Sequence, residues 1–267
     1  MSAVRELVQA DRVLAAQKLP PAAILIGGSV FAGIVLIALL TFLLGKDSKA
    51  AVLVLDYSSD TVFPYPFTIQ NLMHLTLFFA LGELFIRWQV ANFEMSFLAR
   101  RFLPEDEETV LQGHDLGAIR RRVAGQSDGD NGFLPSLIDI AILQFQASRS
   151  VDQMVSVLNS SLELISHRVD LRYQVLRYVA WFIPTVGFIG TVVGIAGALS
   201  AMDPNNPSLG AVTGSLAVAF NTTIIALIES AIIVLGIHLV QKKEEQSVNL
   251  AGNYCLRNLI NRMYVGG

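Results

Sequence analysis

Between Tyr178 and Val240 the chain carries two apolar segments whose conspicuous residues are small or hydroxylated. The first runs through Trp181, Pro184 and Leu199, the joint is Asp203-Pro-Asn-Asn-Pro207, and the second includes Ser215 to Ser230. Each exceeds the roughly 20 apolar residues that cross a hydrocarbon core of about 30 Å. A backbone in lipid must satisfy its own hydrogen bonds, so both segments are expected as helices paired in a transmembrane hairpin.

Within the first segment Gly187, Gly190, Gly194 and Gly197 recur at three- and four-residue spacing, which puts them on one helix face. Such a face lets a neighbouring backbone come close, and proline at 184 is expected to kink the helix. Thr191 borders the glycine row. In the second segment Ser215, Thr222 and Glu229 recur every seven residues. They stack within about 40° of one another at 3.6 residues per turn. Ala219 and Ala226 lie beside them, with Thr223 and Ser230 flanking. An ionisable residue in a membrane stripe of this kind is a functional candidate.

Composition agrees with a membrane setting. The chain is 53% hydrophobic and 15% charged, with a mean hydropathy of +0.53, against about 25% charged in soluble domains. A net charge of -3 argues against nucleic acid as the main partner. The lone Cys255 and the scattered His74, His114, His167 and His238 give no metal framework. Nucleotide loops, nucleophile elbows and zinc-protease motifs are absent, so no enzyme and no cofactor is expected.

The expected fold is all-α and integral to the membrane, with four spans, the third and second extended into a cytoplasmic helical region. Residues 1–21 read as a cytoplasmic amphipathic helix and 22–44 as the first span, where Ser29 and Gly33 can seat a neighbouring helix. Residues 45–66 form an outer loop, with a brief extended piece at Val52–Leu55. The second span, 67–90, is interrupted by Asn71, His74 and Glu83. For His74 a helix-contact role outweighs a proton relay. Residues 91–177 form the cytoplasmic helical region. In it a helix is expected to start at Pro104–Glu108 and to end at Arg120–Arg122. Arg100, Arg101, Glu105, Glu107, Arg120, Arg121 and Arg122 could dock a partner, although charge runs usually mark a solvated face. From Leu134 to Leu176 apolar residues recur at helical spacing. One unbroken helix of about 100 Å, at roughly 1.5 Å per residue, is expected to run on into the third span, 178–202. A hinge at 203–209, the fourth span at 210–240 and a C-terminal cytoplasmic helix at 241–267 complete the chain. Basic residues cluster before the first span, between the second and third, and after the fourth, which puts both termini in the cytoplasm.

Pro184 followed by Gly187-Phe-Ile-Gly-Thr-Val-Val-Gly-Ile195 resembles the penultimate helix of the MotA/TolQ/ExbB family of proton-channel subunits, with Thr191 seven positions after the proline. Thr223-Ile-Ile-Ala-Leu227 is similar to the family's A-T-x-x-G-L motif, with Ala226 in the place of glycine. Val218 stands where several members carry a glutamate, and Ile232 or Gly236 where a further proline is common. The four-span layout is MotA-like. The resemblance implies a bacterial inner-membrane subunit that conducts protons, with sodium the less favoured ion, in a ring of five around a dimer of a single-span MotB/TolR/ExbD-like partner. That partner would carry the proton-bearing aspartate. Thr191, Thr222, Thr223, Ser215 and Glu229 would then belong to the proton path. Thr222 and Thr223 differ by about 100° and cannot both face the axis. Spacing favours Thr222 and the motif favours Thr223. For Glu229 a path role and a structural ion pair with a basic neighbour weigh equally. A flagellar-type stator, a secondary transporter and a passive membrane scaffold are the alternatives.

Overall fold

The computed structural model describes residues 21–57, 63–106, 108–128, 130–202 and 208–264. The helix expected over 1–21, the polar joint Asp203–Pro207 and the docking candidate Glu107 lie outside the described residues, Pro21 apart. Among those described the chain is helical throughout and has no strand, with a single bridge pairing Leu111 and Met263. Four stretches are long and apolar enough to cross a membrane, beginning at Ala22, Ile69, Val151 and Leu209.

The chain divides into two compact units. The apolar unit comprises Pro20–Ile86 and Tyr173–Leu239. It holds α1 (Ala22–Leu43), α2 (Lys49–Leu55), the first part of α3 (Ile69–Leu98), α7 (Gln174–Ser200) and the first part of α8 (Leu209–Asn258). In α1 buried Gly33 lies against Phe78 of α3, and Ser29 meets Gly82, so small residues bring this antiparallel pair together. Phe31, Phe42, Phe188, Phe220, Leu227 and Leu235 project outward from the unit, as expected of helices solvated by lipid or by other subunits.

Residues 52–55 are helical, correcting the extended piece expected there. Ser48 caps α2, its hydroxyl accepting from the Ala51 N–H at 3.1 Å, and Asp56 ends it in the left-handed conformation at φ 52°. A serine three residues before an apolar run was the available signal.

The polar unit holds residues 87–172 and the chain beyond Leu239. It contains α4 (Leu116–Val123), α5 (Phe133–Ser148) and α6 (Val151–Arg172). Both Glu94 carboxylate oxygens accept backbone N–H groups at the start of α5, Gly132 at 2.6 Å and Phe133 at 2.8 Å. Arg172 pairs with buried Glu244 at 2.6 Å.

Three expectations fail in this unit. The unbroken helix from Leu134 is interrupted at Arg149, which adopts φ 55°. The Ser148 hydroxyl turns back to the Gln144 carbonyl at 2.9 Å, and Ser150 caps α6 by accepting from the Gln153 N–H at 3.3 Å. Pro104–Asp106 forms no helix, because its carbonyls accept from the Arg262 guanidinium, Pro104 and Glu105 each at 3.1 Å. The helix there starts only at Leu116. Finally, Gln241–Gln246 does not end the fourth helix. These residues are good helix formers, and Gln241 bonds Glu245 one turn on at 2.8 Å, so α8 continues to Asn258 and is followed by a single 3-10 turn at Ile260–Arg262.

Candidate functional site

The hairpin of α7 and α8 is built by close backbone approach. Gly187 faces Ala226, Gly190 faces Thr222, and Gly194 faces Ala219 and the Ser215 carbonyl, an antiparallel register of small residues on both sides. A Cβ on Gly194 would lie 2.7 Å from that of Ala219 and 2.9 Å from the Ser215 oxygen, so only glycine fits. Gly197 is half-buried at the end of the row. Ala219, Thr222, Ala226, Glu229 and Ile233 are buried at three- and four-residue spacing and form the packed stripe of α8.

Pro184 carries no N–H, so the Ala180 carbonyl one turn earlier loses its helical donor. The Ser230 hydroxyl of α8 donates to it at 2.8 Å. Sequence reasoning placed Ser230 only at the flank of the polar stripe. The signal was the proline itself, which creates an orphan acceptor without saying which helix supplies the donor.

Three threonines converge on the Gly187 carbonyl one turn past the proline. The hydroxyls of Thr191, Thr222 and Thr223 lie 3.3, 3.3 and 3.4 Å from it, each with one hydrogen to place among its neighbours. Thr191 and Thr223 also bond each other, and Thr191 reaches the Ala219 carbonyl at 3.0 Å. Thr222 is 1% exposed and donates to its own helix at Ala219, 2.8 Å away, whereas Thr191 and Thr223 are half-buried at the rim. Ser215 is half-buried a further turn and more along α8.

Glu229, 4% exposed, pairs with Nδ1 of His74 on α3, a partner from the same chain. The other His74 nitrogen, Nε2, bonds the Val54 carbonyl at 2.8 Å. Thr68 donates to the next carbonyl, Leu55, at 2.9 Å, and Asn71 to the Pro66 carbonyl at 2.8 Å. Burial alone pushes the Asp56 carboxyl, in the connector beside them, up to about 7.

The charged candidates of the polar unit are largely engaged within the chain. Arg101 pairs with Glu105 at 3.3 Å and Arg120 with Asp139 at 2.8 Å. Arg100 reaches Gln126 at 2.7 Å, Arg122 donates to the Phe102 carbonyl at 3.1 Å, and Arg121 is exposed.

Four membrane-length helices, two of them joined along a glycine seam with a hydroxyl cluster, make this a multi-pass membrane protein. Residues 132–251 match the model of the MotA/TolQ/ExbB proton channel family, and over this segment the chain is similar to that family. The matched range includes Pro184, Thr191, Thr222, Thr223, Ser230 and Glu229. A search of curated proteins finds no match.

Proposed function

We propose that the chain is the proton-conducting subunit of an inner-membrane motor, with both termini in the cytoplasm. In this reading a ring of copies, five by analogy with the family, surrounds a dimer of a single-span partner of the MotB/TolR/ExbD type. The partner contributes a membrane aspartate, and proton-motive force moves it. No cofactor takes part, and the transported ion is the proton ahead of sodium.

The observation that carries this reading is the Thr191–Thr223 hydroxyl pair bridging α7 and α8 within the segment matched to the family. A hydroxyl both donates and accepts, so two half-buried ones in contact can pass a hydrogen bond along. Thr222, closed in by Gly190 and donating to the Ala219 carbonyl of its own helix, is assigned to packing. Ser215 extends the path along α8. The docking role of Arg100, Arg101, Glu105, Glu107 and Arg120–Arg122 is left to Arg121 and to whichever ion pairs open on contact with a partner.

The test is proton uptake by proteoliposomes holding the subunit purified with its co-encoded single-span protein. Thr191→Val should lower flux at least about tenfold, as expected when about 1.4 kcal/mol is lost from a barrier, while the oligomer keeps its size in gel filtration. Unchanged flux in Thr191→Val and Thr223→Val would reduce the cluster to helix packing. Failure to co-purify any single-span protein with a membrane aspartate would count against the motor.

A further inference from the structure

The connector between α1 and α3 and the first turns of α3 bury more polar chemistry than a packing contact requires. Asp56, Asn71 and Glu229 are each 4% exposed and Gln70 is 0% exposed. Asp56 Oδ1, both amide atoms of Gln70, Asn71 Oδ1 and Glu229 Oε2 are buried with no hydrogen-bond partner. Buried polar atoms left this way are strongly disfavoured unless buried water completes them. Among these four side chains Glu229 is the one that bonds a second titratable side chain.

The protonation of the pair follows from its geometry. A carbonyl only accepts, so the bond to Val54 fixes the hydrogen on Nε2 of His74. Nδ1 and Glu229 then need one proton between them, as imidazolium against carboxylate or as neutral imidazole accepting from carboxylic acid. With that proton gone, the Nδ1 lone pair faces a carboxylate and the contact turns repulsive. Neither residue makes a second ion pair among the described residues, and the buried carboxyl of the connector is that of Asp56 at the end of α2.

We infer that His74 and Glu229 form a proton-binding site within the subunit, loaded and emptied through water held by Asp56, Gln70 and Asn71. Loading takes up one proton, which the two side chains share. Emptying returns it to water and parts α3 from α8 at this level, so occupancy is read out as a helix contact. The inference deepens the channel reading and rests on it only for the site's part in transport. The site itself lies apart from the threonine cluster.

Infrared and nitrogen-15 histidine spectra of the full chain in lipid, recorded from about pH 5 to 9 where histidine charge ordinarily changes, test it. One titration should appear together on the His74 ring and on a carboxyl band that Glu229→Gln abolishes. His74→Gln keeps a donor for the Val54 carbonyl and should displace the carboxyl titration. Thr191→Val should leave it in place. An imidazolium and a carboxylate that persist unchanged across the range would mark a fixed ion pair and overturn the inference. So would titrations unaltered by removing the other partner. No gradient is needed, so the spectra decide the matter even where wild-type flux is absent, an outcome that would instead overturn the channel reading.

Discussion

Thr223 and Glu229 stand six residues apart on α8 and take part in two contacts of opposite character. Around Thr223 the helices meet through glycine and alanine, and each hydroxyl finds a backbone carbonyl. Around Glu229 they meet through side chains, and polar atoms are left over. The first contact has no charge to gain or lose, so its geometry is the same at every pH. The second depends on how many protons it holds. Close backbone approach and titratable chemistry thus follow one another along the packed stripe of one helix, which allows a rigid frame beside a switchable contact.

The strongest way to break this contrast is to thicken the seam. Gly194→Leu drives a side chain into Ala219 and the Ser215 carbonyl. Overpacking of this kind typically costs about 1–3 kcal/mol, and more where backbone blocks relief. The variant should lose its oligomer peak in mild detergent, whereas Phe188→Leu, on the exposed face of α7, should retain it. Equal behaviour of the two would show that the glycine row carries no packing load.

A smaller effect is expected at the proline. Ser230→Ala leaves the half-buried Ala180 carbonyl without its donor, a loss of about 1 kcal/mol. Pro184→Ala restores the helical N–H, so the serine should become dispensable in the double variant. Thermal unfolding should therefore give strongly non-additive shifts. Additive shifts would mean that Ser230 acts on something other than the proline's orphan acceptor.

The α7–α8 glycine row was legible because period and residue type agree over four positions. A face that recurs every three and four residues needs no knowledge of its partner. The Glu229–His74 contact was not legible, since the two stand 155 positions apart: His74 alone reads as a helix-contact residue, and Glu229 alone leaves a path role and an ion pair with an unnamed basic neighbour equally open. Arg149 was hidden for a different reason. Apolar periodicity continues across the break, and only the capping pattern of Ser150 and Gln153 betrays it. At Pro104–Asp106 acidic residues suited a helix start, but the carbonyls there are held by Arg262, 156 to 158 residues away.

A pH-dependent effect sharpens the switchable side of the contrast. The Asp56 carboxyl is raised by burial from 3.8 to about 7, so between those values the folded chain holds a proton that the unfolded chain has released. Stability rises with pH where the unfolded state binds more protons. Here the folded state binds more, so the sign reverses. The contribution of Asp56 is neutral below pH about 4 and grows more unfavourable until pH about 7, where it levels off. Asp56→Asn removes the charge and should make the melting temperature flatter across that interval, with the gain over wild type largest at the alkaline end. A gain that is instead constant with pH would mean that Asp56 is ionised throughout in the folded protein. The connector would then hold a fixed charge beside α3, and His74 with Glu229 would be left as the one exchangeable proton of that face.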